Sequence, residues 1–322
     1  MEQKTNYDLI ILGAGPAGMT AAIYAARKQI DTLIISEDVG GQTTWTSDIE
    51  NYPGFLYISG TELVDRFHEH LRKFEVRMEF GKVSGLAREG GGFLIDTHDG
   101  RRFSSRSVIV ATGKQPRTLD VPGEARFKGK GVTYCATCDG PLFEGMDVAV
   151  VGGGNSGVES AVQLMKICPR VYLIERLDRL RADEITQERV KSAENVEILT
   201  GTVVTEILGT NMVEGITVRN LQTGDERKID VSGVFVEVGL IPSSDFARGL
   251  LHLNEYGEIP VDCGSRTGVP GLFAAGDVTD VPEKQIICAA GDGAKAALGA
   301  YSYLVRLPPS VASDWGAKPE QT

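Results

Sequence analysis

Short apolar runs alternate along the chain with stretches of small and apolar residues at helical spacing, so the pattern predicts strands and helices in turn. In "LIILGAGPAGMTAAIYAA" (9–26) a buried strand leads through a glycine-rich turn into a helix, and "DTLIIS" (31–36) is the next strand. The same series recurs without a gap in "VAVVGGGNSGVESAVQLM" (148–165), followed by "RVYLIE" (170–175). Self-similarity of this kind marks a duplicated unit. "SVIVATGKQP" (107–116) and "GVFVEVGLIP" (233–242) form a second pair, apolar strands ending in Gly and then Pro. Before each lie short strand-like runs with turn signals, "FLID" before "HDG" and "GITVRN" before "QTGDE".

The expected fold is therefore α/β, with two nested Rossmann-like dinucleotide-binding domains, each a parallel sheet with an inserted β-meander. The first domain takes residues 1–116 and 244–322, and the second takes 117–243. The chain leaves the first domain near Gln115-Pro116 and returns near Pro242, and these two crossings are where a hinge is expected. The tail from Pro308 lacks periodicity and is expected to be disordered.

Both turns read Gly-x-Gly-x-x-Gly: Gly13, Gly15 and Gly18, then Gly152, Gly154 and Gly157. The first glycine permits the turn, the second admits a pyrophosphate and the third lets helix pack on strand. The free amides of the helix N-terminus then face the phosphates. An acid follows each motif, Glu37 at 24 residues from Gly13 and Glu175 at 23 from Gly152. Two sites imply two dinucleotides, or one resident cofactor and one exchangeable one. Near the C-terminus, "GLFAAGDVTDVPEKQIICAAGDGAKAAL" (271–298) reads as a strand ending at Gly276-Asp277, a loop and an Ala-rich helix. Asp277 either bonds a polyol chain or caps a turn.

Composition narrows the partners. At 322 residues and a net charge of −11, two domains are expected and neither nucleic acid nor an anionic membrane is. The N-terminal apolar run is too short for a signal sequence, and no run approaches the ~20 apolar residues of a membrane span. A cytoplasmic protein is expected, where a permanent disulfide is disfavoured.

That bears on "YCATCDG" (134–140), which holds Cys135 and Cys138. Zinc would need a second Cys pair or a His pair. Cys168, Cys263 and Cys288 are isolated and read as small buried residues, and His68, His70, His98 and His252 show no ligand spacing with them. No metal is expected. A three-residue separation brings two sulfurs within bonding reach, and such pairs tend to lower one thiol pKa. Cys135–Cys138 thus reads as a redox dithiol, with Asp139 a proton donor or acceptor, a cap for the next turn, or both.

Taken together, "GAGPAG", "GGQTTWTSDIENYPGF", "ATG", "CATCDG", "GGGNSGVE" and "AAGDV" resemble the low-molecular-weight thioredoxin reductases over nearly the whole chain. "CDGPLF", "GGGNSGVE" and "VPEKQIICAAGDGAKAAL" are closer still to the reductase part of the alkyl hydroperoxide reductase flavoprotein subunit. That subunit carries a thioredoxin-like domain ahead of its reductase part. Here Tyr7-Asp8 opens the first strand almost at once, so a separate carrier is expected to do that domain's work.

The resemblance implies FAD in the first domain. It places the pyrophosphate on Gly13, Gly15, Pro16, Ala17 and Gly18 and the adenosine ribose on Glu37 or Ser36. Gly41, Gln42, Asn51, Val83, Ala111, Thr112 and Gly113 line the cofactor, and Gly276, Asp277, Gln285 and Ile286 close over its ribityl chain and ring. The second domain takes NAD(P)H on Gly152, Gly154, Asn155, Ser156, Gly157, Glu159, Glu175, Arg176, Arg181 and Gly239. Homodimerisation and rotation between the domains are likewise family expectations.

Reductases of this kind that use NADPH clamp its 2′-phosphate with His-Arg-Arg and a further Arg. This chain has "ERLDRLR": Glu175 replaces His, Leu177 replaces an Arg, and Arg176 and Arg181 remain. A carboxylate can accept from a ribose 2′-hydroxyl and repels a phosphate, so NADH is expected over NADPH. The opposing reading turns Glu175 to solvent and leaves both arginines for NADPH. Lys114, Arg117, Arg126, Lys128 and Lys130, against Asp120 and Glu124, either dock an acidic carrier or form a solvated face. The leading function is a disulfide reductase acting on thioredoxin or a thioredoxin-like protein. Its rivals are a flavin dithiol oxidase, a ferredoxin-fed reductase and a non-catalytic nucleotide sensor.

Overall fold

A computed structural model of the chain describes residues 4–46 and 49–306. The expected disordered tail lies outside the described residues. The described chain divides into two compact units, one from 4–44, 60–115 and 241–306 and the other from 45–46, 49–59 and 116–240.

The first unit begins with β1 (Asn6–Leu12), α1 (Pro16–Arg27), β2 (Thr32–Ser36), α2 (Gly60–Arg72) and β3 (Arg77–Phe80). It continues with β4 (Val83–Glu89), β5 (Gly92–Thr97) and β6 (Arg102–Val110). Its sheet runs β3-β2-β1-β6-β5-β4. β1 is parallel to β2 and β6, with Leu9 opposite Thr32 and Ser107. Strands covered on both faces need apolar residues at every position. Leu9 and Ile11 accordingly join the cluster under α1, while Ile10 and Leu12 join the cluster on the other face. The meander differs from the expected insert. β6 pairs antiparallel with β5 through Arg102–Ser105 as well as parallel with β1, so β4 and β5 extend the sheet itself.

The second unit includes β7 (Lys114–Pro116), whose last residue opens it, α3 (Glu124–Phe127), β8 (Val132–Thr133), α4 (Ala136–Asp139) and β9 (Val148–Val151). Then come α5 (Asn155–Leu164), β10 (Val171–Ile174), α6 (Glu184–Ser192) and β11 (Val196–Leu199). β12 (Thr202–Gly209), β13 (Val213–Asn220) and β14 (Glu226–Ile229) precede β15 (Gly233–Val236) and β16 (Leu240–Pro242), whose first residue closes the unit. The parallel sheet is ordered β11-β10-β9-β15-β8, and here the meander β12-β13-β14 is a separate antiparallel sheet. Residues 45–59, with an isolated bridge between Ile49 and Ile58, cluster with this unit.

The chain then returns to the first unit as β17 (Leu272–Ala274) and α7 (Ile286–Leu304). β17 pairs with β6 at Val108–Val110, beyond the point where β5 ends. α7 lies against α1 through small residues on both helices. A Cβ on Gly293 would stand 2.1 Å from the Ala17 carbonyl oxygen, so this approach tolerates no side chain.

Candidate functional site

The two glycine turns have one geometry. Gly13 and Gly152 hold φ of +105° and +127°, and a Cβ on either would stand 2.3 Å from a carbonyl oxygen, that of Ala111 or Glu237. A Cβ on Gly18 or Gly157 would stand 1.9 Å from the carbonyl oxygen of Gly13 or Gly152. The middle glycines, Gly15 and Gly154, have nothing within 4 Å of an added Cβ. Each is the N-cap of its helix, α1 or α5, without a side-chain cap bond. Two unblocked cradles at helix N-termini fit a pyrophosphate.

The residues at the ends of the second strands differ in kind. Ala14 N–H donates to Ser36 Oγ at 3.0 Å in the first copy, and Gly153 N–H donates to Glu175 Oε2 at 2.6 Å in the second. Ser36 and Glu175 are therefore equivalent, and Glu37 matches Arg176. Glu37 is exposed and lies 3.4 Å from Lys82. Glu175 is 4% exposed, and its Oε1 accepts from the Leu177 amide at 2.8 Å. The opposing expectation, Glu175 in solvent, is incorrect: one amide of the glycine turn and one of the loop after β10 hold it inward. Arg176 and Arg181 are exposed, and Arg181 also donates its amide to the Gly153 carbonyl at 2.8 Å. Asn155 Oδ1 accepts from the Asp183 amide at 2.9 Å, and Glu159 is exposed on α5. Gly239, at φ +105°, accepts from the Arg117 amide at 2.9 Å.

In the first unit, Pro16 occupies the first turn of α1. Gly41, at φ +55°, donates its amide to Asp38, and Gln42 donates its side-chain amide to the Lys114 carbonyl. Val83 starts β4, and Ala111 donates its amide to the Leu12 carbonyl at 2.7 Å. Thr112 Oγ1 donates to the Ser243 carbonyl at 2.6 Å, and Gly113 accepts from the Ser243 amide at 3.0 Å. Gln285 is the N-cap of α7 and Ile286 its first residue. Gly276 has φ +73°. Burial pushes the Asp277 carboxyl above the ordinary range, against the pull of Lys284 and Lys114. Asn51 departs from this set: it lies in 45–59, which clusters with the second unit through contacts such as Lys128 Nζ, 3.1 Å from the Trp45 ring centroid.

Cys135 and Cys138 are joined by a disulfide at a Cα separation of 5.3 Å. Cys135 caps α4 by accepting from the Cys138 amide at 3.2 Å. Asp139 makes no side-chain cap to the following turn; it accepts from the Thr133 hydroxyl, to which the Cys135 amide donates at 3.3 Å. Directly after β15, Glu237 accepts from the hydroxyls of Ser156 and Ser160 on α5 and from the Ala136 amide beside Cys135. Sequence reasoning passed over Glu237, although the pairing of "VATG" with "VEVG" sets a carboxylate where the first copy has Ala111.

It also passed over a charged cluster. Lys114, expected in the basic run, is buried and paired with Glu258, which further contacts Lys284 at 3.6 Å and Asn254 at 2.7 Å. Glu124, counted against that run, is buried and bonded to the amides of Leu119 and Asp120 and to the Tyr134 hydroxyl. Exposed positive charge there therefore reduces to Arg117, Arg126 and Lys130. Cys263, expected to be buried, is exposed, because its turn folds the Gly264 and Arg266 amides onto Asp262 instead of packing inward. Among the described residues no group of three or more His, Cys, Asp or Glu side chains is placed to hold a metal ion, and no helix is long and apolar enough to cross a membrane.

A family described as pyridine nucleotide-disulphide oxidoreductase matches residues 7–293. One alkyl hydroperoxide reductase subunit, that of Staphylococcus aureus, is 42% identical over 306 residues, 95% of this chain and 60% of that protein. An NADH dehydrogenase of Bacillus subtilis is 43% identical over 304 residues, 94% of this chain and 60% of its own length. The chain thus spans about three fifths of the curated relatives it matches. Among solved structures, thioredoxin reductase of Streptococcus pyogenes superimposes with a TM-score of 0.89 at 41% identity, over 95% of this chain and all of that one. Thioredoxin reductase of Giardia duodenalis does so at 0.87 and 32%, over 94% of this chain and all of that one.

Proposed function

The chain belongs to the pyridine nucleotide-disulphide oxidoreductase family, a family that implies FAD and NAD(P)H, and from that premise we propose an NADH-dependent disulfide reductase. Its electrons pass through Cys135–Cys138 to a separate thioredoxin-like carrier, in a homodimeric cytoplasmic protein.

FAD, held by the Gly13–Gly18 turn, Ser36, Gln42 and Asp277, would supply a two-electron relay between nicotinamide and disulfide. The chain's own part is to hold and select. The Gly15 and Gly154 cradles offer helix N-terminal amides to each pyrophosphate. The Thr133–Asp139 pair sits beside Cys135 and can pass the proton that opening the disulfide requires. The crossings at 115/116 and 240/241 would be the hinge.

One observation carries the choice of nucleotide: the buried Glu175 carboxylate, fixed by the Gly153 and Leu177 amides at the end of β10. A fixed negative charge there accepts from a ribose 2′-hydroxyl and opposes a 2′-phosphate. Relatives bearing the name NADH dehydrogenase support the same donor. Stopped-flow mixing with NADH should bleach the flavin, and a thioredoxin-like protein should reoxidise it. A kcat/KM with NADPH equal to that with NADH would remove the nucleotide preference, and no bleaching with either would remove the reading.

A further inference from the structure

Glu237 joins two pieces of functional machinery within the second unit. Its Oε1 accepts from Ser160 Oγ at 2.9 Å, its Oε2 accepts from Ser156 Oγ, and the Ala136 amide donates to the same carboxyl. Ser156 and Ser160 belong to the first turns of α5, which begins at the nucleotide cradle. Ala136 follows Cys135 directly and opens the turn that holds the disulfide. The two serine hydroxyls are placed to donate to this carboxyl, and the Ala136 amide dipole favours its charged form as well. Burial leaves its pKa above the ordinary carboxylate value, against the pull of the two serine bonds and the amide bond.

We propose that Glu237 is a positioning residue that clamps the redox turn to the dinucleotide helix and, by its charge, disfavours a thiolate at Cys135 in the reduced protein. Reduction of the pair breaks the S–S bond and takes two electrons, relayed from NADH in the function proposed above. With two protons the products are two thiols; with one, a thiol and a thiolate. A carboxylate bonded to the amide next to Cys135 favours uptake of both protons, because like charges at close range repel. The other charged or titratable groups facing this carboxyl and its turn are Asp139 in the turn itself, Glu159 on α5, whose charge opposes that of Glu237, and the Tyr134 phenol next to Cys135, which donates to Glu124 and lies near Lys128. Lys128, whose ammonium also faces the Trp45 ring, is the single cation in this set.

The inference rests on the proposed function only for the use of the pair, since alkylation needs neither nucleotide nor carrier. The chemically reduced, FAD-loaded protein is treated with iodoacetamide between pH 5 and 9, and labelling of the peptide bearing Cys135 and Cys138 is followed by mass spectrometry. Glu237→Gln keeps the acceptor oxygen and removes the charge. Its profile should move to lower pH by about one unit, roughly a tenfold faster labelling near pH 7. Glu237→Ala should move the profile in the same direction. Superimposable profiles for the parent and the Gln variant, with flavin retained, would overturn the proposal, because a purely structural clamp survives the Gln substitution. A parent protein whose flavin neither nucleotide bleaches, together with a shifted profile in the Gln variant, would count against the proposed function and leave this inference standing.

Discussion

Glu175 and Gly153 share one space. The Glu175 carboxylate accepts the Gly153 amide at 2.6 Å, and a Cβ on Gly153 would meet Oε2 at 2.6 Å and the Glu175 Cβ at 2.8 Å. The first copy resolves the same contact with Ala14 and Ser36. Gly153→Ala should therefore destabilise the chain by about 1–3 kcal/mol, the usual cost of overpacking. Adding Glu175→Ser, which recreates the pairing of the first copy, should restore most of that loss in urea unfolding. The doubly substituted protein should also lose the proposed preference for NADH over NADPH. If the second change restored no stability, the two positions would not be in competition.

Lys114 and Glu258 form a buried pair, with Lys284 at the edge of the same carboxylate. Burial opposes the Glu258 charge, yet the bonds from Lys114 and Asn254 hold its carboxyl below the ordinary range. Lys114→Met should cost about 3 kcal/mol, since removing one partner strands a buried charge. The depressed Glu258 pKa gives stability that is present above the ordinary carboxylate range and lost as pH falls through the folded-state value. The parent–variant gap in unfolding free energy should close on acidification, and a gap independent of pH would contradict the pairing.

Asp277 behaves in the opposite sense. Its carboxyl is raised by burial, so the folded chain keeps that proton to a higher pH than the unfolded chain. The resulting penalty is absent below the ordinary carboxylate range and complete above the folded-state pKa. Asp277→Asn should raise the melting temperature of the flavin-free protein at neutral pH by on the order of 2 °C, with no gain in acid. It should also weaken FAD binding measured by fluorescence titration. Tighter FAD binding in the variant would argue against Asp277 as a cofactor ligand.

Three cysteines lie outside the disulfide, and they should differ in reactivity. Cys263 is exposed, Cys288 half-buried and Cys168 buried, with burial pushing the Cys168 thiol up to about 11. At neutral pH a maleimide should label Cys263 first and leave Cys168 untouched until denaturant is added. Early labelling of Cys168, read by peptide mass spectrometry, would show that its helix end opens readily.

The duplicated fold was legible because its determinants are local. A motif glycine is needed where a Cβ would strike a carbonyl oxygen of its own turn or of the neighbouring strand, as at Gly18 and Gly157. Continuous apolar runs such as "LIIL" announce strands covered on both faces. Counting residues from a glycine was less secure. It singled out Glu37, whereas the bond to the turn is made one position earlier, by Ser36, because the strand's end, rather than the residue's charge, decides which side chain faces the loop.

By itself the sequence determined the two β-α-β units, the spacing that lets Cys135 and Cys138 bond, and the presence of Glu175 where an arginine-rich clamp would bind a phosphate. Tertiary structure alone decided the rest. It paired Lys114 with Glu258 across 144 residues, withdrew Lys114 and Glu124 from the surface, and brought Glu237 to Ser156, Ser160 and Ala136. The physical reason is that a glycine's steric requirement is met within its own turn and the strands beside it. A buried charge must instead find its partner wherever the fold delivers one, and no local pattern records that distance.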